Sequence, residues 1–214
     1  MPENGREQKI NPQGLYDRIA DVQNLAMKVN GYRESVAKYL RSLDLNIGPG
    51  SFILDAGCGT GVTTLALLDA GFLPQQIAAL DLSFNSLQIA REEFAKRSKF
   101  GKQIISVQGN ILRFPFPDNK FGLVVMCGVL EYTPLDDGLR EAARVMEKGA
   151  RLVLLPVKQS LVGSVLTYLY NFEIHKLGDV RLAAERYFNV VGNHEFPVVE
   201  PISWSKTVFL LERK

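Results

Sequence analysis

The stretch ILDAGCGTG at residues 53–61 constrains the fold more than any other part of the chain. It begins with apolar residues that predict a short strand, and it ends in three glycines that alternate with other residues. Glycine adopts positive φ angles easily and lets the backbone approach a ligand closely. Residues 62–68 are apolar residues and threonines, and they predict a helix. A strand, a glycine turn and a helix N-terminus in this order are typical of a site for a nucleotide-type cofactor.

The spacing of these glycines differs from that of the dinucleotide-binding fingerprint. The fingerprint G-x-G-x-x-G requires glycine at position 62, where this chain has Val62. Asp55, which precedes the turn, is also not part of that fingerprint. A nicotinamide or flavin oxidoreductase is therefore only an alternative interpretation of this loop.

Two further segments extend the pattern. Residues 55–61 resemble the first motif of the class I S-adenosylmethionine-dependent methyltransferases. Residues 113–121, RFPFPDNKF, resemble the LPFPDxxFD segment of the methyltransferase type 11 group, although Gly122 stands where that pattern has Asp. The run at 144–156 is also similar to that group. The resemblance covers roughly residues 50–157 and implies a Rossmann-like, doubly wound α/β sheet of seven strands, mostly parallel with an antiparallel last strand.

Composition narrows the function classes. The chain has 214 residues, which suits one α/β unit with a sizeable core. The formal net charge of +2 gives no argument for nucleic acid as a partner. The fourth predicted strand also lacks the DPPY or NPPY ending of enzymes that methylate amino groups of nucleic acids. No signal peptide, membrane span or metal site is recognisable, so we expect a cytoplasmic protein.

The chain divides into an N-terminal arm and helical cap, residues 1–48, and a methyltransferase domain, residues 49–214. Residues 16–45 predict two helical pieces with a break at Asn30-Gly31. The resemblance implies that such a segment covers the active site. Tyr16 then contacts the cofactor, or it only packs the cap onto the core.

The resemblance implies S-adenosyl-L-methionine as the cofactor, with the glycine loop around its amino-acid end. Asp81 ends the second predicted strand, where an acid can accept hydrogen bonds from both ribose hydroxyls, or where Asp81 or Ser83 caps the next helix. Asn110 replaces the acid that usually holds the adenine amino group, and its amide oxygen can still accept; a turn asparagine is the alternative. The predicted cofactor-binding residues are Asp55, Gly57, Cys58, Gly59, Gly61, Asp81, Leu82, Asn110, Ile111, Cys127 and Tyr16.

No catalytic residue is evident from the sequence. Glu131 follows the fourth predicted strand and is a candidate base, with a simple helix-start acid as the alternative. His175 is a second candidate, although histidines of this kind more often serve packing. Cys127, at the end of the fourth predicted strand, flanks the cofactor or, as is more common for such a cysteine, is a small buried core residue.

The segment at 159–172 contains no charged residue. It is too short to span a bilayer. It predicts a helix that lines an apolar acceptor pocket, meets a membrane surface or is simply buried. Residues 204–206, in the connection to the last predicted strand, are expected to border the same pocket.

These features predict a methyltransferase that acts on a small apolar acceptor, quinone-like or lipid-like, by direct methyl displacement. Peripheral contact with a membrane is consistent with the same segment. The non-enzymatic alternative is a subunit that keeps the cofactor-binding fold and acts as a binding or scaffold protein. Asn110, Gly122 and the lack of an evident base permit that alternative.

Overall fold

The computed structural model describes residues 31–45, 47–72, 75–97, 104–170 and 172–214. Seven strands form one sheet in the order β3-β2-β1-β4-β5-β7-β6. β7 runs antiparallel to both of its neighbours, and the other pairings are parallel. The predicted seven-stranded sheet with an antiparallel last strand is confirmed. The strands are β1 Phe52–Ala56, β2 Gln76–Asp81, β3 Ile104–Gln108, β4 Phe121–Cys127, β5 Met146–Leu155, β6 Phe188–His194 and β7 Val208–Arg213.

Helices connect the strands and cover both faces of the sheet. They are α1 Tyr32–Ser42, α2 Val62–Asp69, α3 Phe84–Ala95, α4 Leu135–Val145, α5 Leu161–Tyr170 and α6 Leu177–Ala184, with short 3-10 turns at Leu130–Tyr132 and Pro201–Trp204. In the part of the chain that the structure describes, no helix is both long enough and apolar enough to cross a bilayer.

The period of two along each strand divides the core into two layers. In β4, Leu123 and Val125 pack in a cluster with residues of α1 and α2. Val124 and Met126 point the other way, into a cluster with residues of α4 and α6. All four side chains are fully buried. The continuous apolar run of this strand therefore reflects a position at the centre of a sheet that is covered on both sides.

The start of β5 differs from the sequence expectation. Lys148-Gly149 has the pattern of a helix end, a basic residue followed by glycine, and predicts a strand from Ala150. In the structure the helix ends at Val145 and the strand begins at Met146. Met146 pairs with Phe121 at the start of β4, and the register then shifts before Arg151 pairs with Leu123. This pairing with the neighbouring strand outweighs the local helix-ending signal of Lys148-Gly149.

Helix α1 packs across the first α/β unit. The predicted second helical piece is confirmed here, with Val36 and Leu40 buried. Arg33 forms an ion pair of 2.9 Å with Asp69 at the end of α2. Tyr16 lies outside the described residues. The division of the chain at residue 48 stays a prediction.

Candidate functional site

The carboxyl ends of β1, β2 and β4 meet at one edge of the sheet because these strands are parallel. The strand order reverses between β1 and β4. In open α/β sheets this switch point is where the loops separate and leave a crevice for a ligand. The glycine loop after β1 and the segment after β4 form its two sides.

The glycine loop is held against β2 by its own backbone. The N–H groups of Gly57 and Cys58 both donate to the carbonyl oxygen of Leu80, at 2.8 and 2.9 Å. The N–H of Gly61 donates to the carbonyl oxygen of Cys58 at 2.9 Å, and α2 begins directly after it. These backbone hydrogen bonds hold the loop as a turn against the end of β2.

Two glycines of this loop have different surroundings. Gly57 has φ +79°, and a Cβ built on it would stand 2.4 Å from Cγ2 of Val129, which packs over the turn from the β4 side. Gly59 has φ +52°, and no heavy atom lies within 4 Å of its ideal Cβ position. Gly57 thus lets the two sides of the crevice touch, whereas Gly59 faces open space that a ligand can enter.

Asp81 ties the loop to the end of β2. Its Oδ2 accepts the N–H of Gly59 at 2.8 Å, and its Oδ1 accepts the N–H of Ser83 at 2.8 Å. Ser83, not Asp81, caps α3, since its hydroxyl accepts the N–H of Ser86. Burial raises the pKa of Asp81, and hydrogen bonds from the backbone N–H groups of Ser83, Gly59 and Leu82 oppose that rise. Each carboxylate oxygen has a further lone pair for a ligand hydroxyl.

Asp55 is a fully buried acid below the loop. Its Oδ2 accepts the hydroxyl of Thr64 at 2.6 Å, whereas its Oδ1 has no hydrogen-bond partner among the described residues. Burial raises the pKa of Asp55 to about 7, the charge of Asp81 adds to the rise, and the bond from Thr64 opposes it. Asp55 therefore offers a buried acceptor next to the place where the loop begins.

Replacing Asp55 with asparagine is expected to stabilise the cofactor-free protein at neutral and higher pH. A raised acid pKa means that the folded protein keeps a proton that the unfolded chain loses, so stability falls as pH rises from about 4 to about 7. The neutral amide removes that penalty. We expect the difference in free energy of unfolding between Asp55→Asn and wild type to grow by on the order of 2–3 kcal/mol between about pH 5 and about pH 8.

Urea unfolding of both proteins across this pH range measures the difference. Asp44→Asn, a substitution of the same chemistry at an exposed position, is the matched control. A difference between Asp55→Asn and wild type that is constant with pH would contradict the assignment of a proton to Asp55.

A second cluster of polar side chains lies on the β4 side. The hydroxyl of Tyr32, from α1, bonds to Sγ of Cys127 at 3.1 Å. Burial raises the pKa of Tyr32, and the neighbouring Cys127, Glu131 and Asp55 raise it further. No sequence motif marks Tyr32 as part of this site. Tyr32 lies in the first turn of α1, four residues before buried Val36, so the helical spacing places it on the buried face of that helix. The spacing does not predict which residue its hydroxyl contacts.

Glu131 is buried at the 3-10 turn after β4. Its Oε1 accepts the N–H of Val157, whereas Oε2 is buried and has no hydrogen-bond partner within the described ranges. His175 bonds through Nε2 to the carbonyl oxygen of Leu130 at 3.1 Å. That nitrogen must carry a proton, since a carbonyl oxygen only accepts. His175 thus holds the turn that positions Glu131.

The predicted adenine-side residues lie beside β3. Leu82 is exposed and Ile111 is buried. Oδ1 of Asn110 accepts the N–H of Leu112 at 2.9 Å, which is the turn geometry considered above. The amide nitrogen of Asn110 bonds to none of the residues described, so it remains able to donate. Cys58 is buried, and burial raises the pKa of its thiol.

An exposed apolar surface borders the crevice on its β5 side. In α5, Leu161 is 90% exposed, Val165 57% and Tyr168 89%. The interpretation of this segment as an ordinary buried helix is therefore wrong. The carbonyl of Trp204 accepts the hydroxyl of Ser160, which joins this helix to the 3-10 turn before β7. The ring of Phe172 packs edge-on against Tyr132 at 5.2 Å and connects the surface to the turn after β4.

Comparison with known proteins agrees with this fold. Residues 54–154 match the family described as "Methyltransferase domain". A demethylmenaquinone methyltransferase of Bacillus licheniformis is 32% identical over 156 residues, which are 72% of this chain and 65% of that protein. One of Shouchella clausii is 29% identical over 80% of this chain and 72% of its own length. The chain thus spans a little less than two thirds of the first of these relatives.

Two solved structures share the fold at lower identity. Geranyl diphosphate C-methyltransferase from Streptomyces coelicolor, in complex with Mg2+, geranyl-S-thiolodiphosphate and S-adenosyl-L-homocysteine, has a TM-score of 0.69 and 17% identity, over 83% of this chain and 75% of that one. The putative methyltransferase in complex with the Haloferax volcanii Trm112 activator has a TM-score of 0.74 and 15% identity, over 92% and 97%.

The sheet order, the glycine loop and the acid at the end of β2 define a class I S-adenosylmethionine-dependent methyltransferase fold. The cofactor of this class is S-adenosyl-L-methionine, as the resemblance implied. The fold is that of this class, and residues 54–154 match a methyltransferase domain of the type 11 group.

Proposed function

We propose that the chain transfers the methyl group of S-adenosyl-L-methionine to a small quinone-like acceptor. The observation that carries the proposal is the similarity to demethylmenaquinone methyltransferases at 32% and 29% identity over most of this chain. The exposed apolar surface beside the crevice supports it, because a quinone-like ring with an apolar tail needs such a surface.

The residues at the crevice suit this cofactor. Gly59 faces open space, and the Asp81 carboxylate lies at the edge of that space with acceptor capacity left. The unpartnered Oδ1 of Asp55 suits an ammonium group, as the amino-acid end of the cofactor carries. We assign the amino-acid end to Asp55 and the glycine loop at 57–61, and the ribose to Asp81. The remaining contacts are assigned to Leu82, Asn110 and Ile111 for adenine and to Cys127 for the methyl-bearing side.

S-adenosyl-L-methionine supplies a methyl group that is activated by a positively charged sulfur. The protein contributes mainly by orientation, which is worth roughly 7–11 kcal/mol of a reaction barrier. The glycine loop and Asp81 fix one reactant, and the apolar surface of α5 and the Tyr132–Phe172 pair fix the other. Glu131, with a buried and unpartnered Oε2, takes the proton from a hydroxyl of the acceptor.

The exposed face of α5 also gives the acceptor's apolar tail a place outside the crevice. Leu161, Val165 and Tyr168 are exposed on this helix, whereas Glu131 is buried. An acceptor drawn from a membrane would bring the same face to the bilayer surface, where aromatic and aliphatic side chains of this kind are favoured.

Transfer of labelled methyl groups tests the proposal. The protein is incubated without oxygen with methyl-labelled S-adenosyl-L-methionine and a chemically reduced naphthoquinone that carries a short prenyl tail but no methyl group at the neighbouring ring position. We expect label in the extracted quinone, and none with Gly59→Ala. Turnover of soluble amines such as glycine, with no labelling of any quinol, would overturn the proposed acceptor. Cofactor binding without transfer to any acceptor would favour the scaffold alternative.

A further inference from the structure

We propose that the ammonium group of Lys206 binds the ionised hydroxyl oxygen of the acceptor. This makes Lys206 a residue of the acceptor site, with an aromatic or enolic hydroxyl in its negative form as the ligand class. The inference rests on the proposed function, because it assigns one atom of that acceptor to one atom of the protein.

The first observation is that Lys206 is largely buried, while its ammonium nitrogen keeps some exposed surface and has no partner among the described residues. Its side chain and backbone together are only 7% exposed. No carboxylate in the described part of the chain forms an ion pair with it, and its Nζ donates a hydrogen bond to no described acceptor. A lysine is almost never buried in this way unless something pairs with its charge. The missing partner is therefore expected to be a ligand with negative charge.

The second observation is where the ammonium lies. Nζ of Lys206 is so close to Gly128 that a Cβ built there would stand 2.4 Å from it. Gly128 directly follows β4, and Val129 beside it packs on Gly57 of the glycine loop. The unpartnered charge thus lies at the carboxyl end of β4, on one wall of the crevice.

The third observation is that Glu131 and Lys206 both contact the backbone of Val157. Val157 donates its N–H to Glu131 and forms an isolated bridge with Lys206. An acid with a free oxygen and a cation with a free proton donor therefore both approach the backbone at the end of β5. Glu131 and Lys206 form no ion pair with each other within the described residues. Glu131 therefore remains able to accept a proton from a ligand, and Lys206 remains able to donate a hydrogen bond to it.

An acceptor hydroxyl satisfies both groups in one step. The O–H bond breaks, its proton passes to Oε2 of Glu131, and the electron pair stays on the oxygen. That oxygen, now negative, is held by the ammonium of Lys206. The ammonium stabilises the negative charge on the acceptor oxygen before the methyl group moves. When the neighbouring ring carbon takes the methyl group, that carbon releases its own proton to water, and the oxygen takes back the proton held by Glu131, so that a quinol is restored.

A coloured phenol tests this without turnover. The probe is 4-nitro-1-naphthol, whose ionised form absorbs visible light, titrated with the wild-type protein and with variants. We expect the protein-bound probe to ionise at a pH lower by roughly one unit in wild type than in Lys206→Met. Lys206→Arg, which keeps the charge, is expected to retain most of that shift. Lys206→Gln is a second neutral variant in case the methionine variant fails to fold.

Lys158 provides the matched control. It directly follows Val157, the residue that forms the bridge with Lys206, but its Nζ is already paired with Glu195 at 3.0 Å. Lys158→Met is expected to leave the ionisation of the bound probe as in wild type. Lys206→Met and Lys158→Met are compared with wild type in thermal unfolding, which shows that each variant is folded, and in S-adenosyl-L-homocysteine binding, which the inference leaves unchanged.

The outcomes separate this inference from the proposed function. Equal ionisation of the probe in wild type and in Lys206→Met or Lys206→Gln overturns the inference, even if quinols are methylated. A shift that depends on Lys206, with no quinol methylated, supports the anion site and contradicts the proposed acceptor. In the methylation assay, we expect Lys206→Met to lower kcat by about 100-fold and to move the pH profile upward.

Discussion

Asp81→Ala is expected to weaken binding of S-adenosyl-L-methionine by about 100-fold or more. The carboxylate has two functions at the crevice: it holds the N–H groups of Gly59 and Ser83, and it has acceptor capacity left for the cofactor. Hydrogen bonds to a charged group contribute roughly 1.5–3 kcal/mol each. The loss of two such bonds to a ligand corresponds to a change of two or more orders of magnitude in Kd.

Calorimetric titration of Asp81→Ala and Asp81→Asn measures this effect. The amide of Asp81→Asn keeps one acceptor oxygen and therefore is expected to bind the cofactor with intermediate affinity. Asp44→Ala, at an exposed position distant in sequence from Asp81, should bind the cofactor with the wild-type Kd. A Kd of Asp81→Ala within a factor of three of the wild-type value would remove Asp81 from the cofactor site.

Gly59→Ala is expected to lose cofactor binding, whereas Gly57→Ala is expected to lose stability, although the two positions lie only two residues apart. The Cβ of Gly59→Ala enters open space, so the protein folds at a cost of about 1 kcal/mol for the left-handed backbone. The same Cβ occupies the space assigned to the cofactor, so binding is lost. In Gly57→Ala the Cβ meets Val129 at 2.4 Å, so the protein itself is destabilised, by about 3 kcal/mol or more.

Urea unfolding and cofactor titration on both variants separate these effects. Gly50→Ala, where the surroundings are open and φ is ordinary, is the matched control and changes neither measurement. A Gly59→Ala protein that binds the cofactor normally would show that the cofactor does not lie over this residue. A Gly57→Ala protein as stable as the wild type would contradict the close contact between the two sides of the crevice.

The sequence predicted the features that depend on local pattern. The apolar run of β4, the glycine loop at 57–61 and the acid at the end of β2 each appear in consecutive residues. Alternating strand and helix signals then fix the parallel sheet, because a parallel connection places a helix between strands. These features predicted a nucleotide-type cofactor and the edge of the sheet where its site lies, and the resemblance to class I methyltransferases then implied S-adenosyl-L-methionine.

The acceptor side depends on contacts between distant residues. Tyr32 and Cys127 are 95 residues apart and meet only because α1 crosses the sheet. The burial of Lys206 without a partner follows from the packing of the last hairpin, so the sequence suggested no more than that it borders the pocket. The exposure of Leu161 and Tyr168 is likewise a tertiary property, because an uncharged helix has the same sequence pattern whether it lies in a core or on a surface.

Direct titration of the wild-type protein with S-adenosyl-L-methionine, S-adenosyl-L-homocysteine and NADH tests the central claim most directly. We expect one site per chain that binds the first two ligands with Kd values on the order of micromolar, a binding free energy of about −8 kcal/mol, and that does not bind NADH. Folded protein that binds neither S-adenosyl ligand, or that binds NADH at the same site, would contradict it.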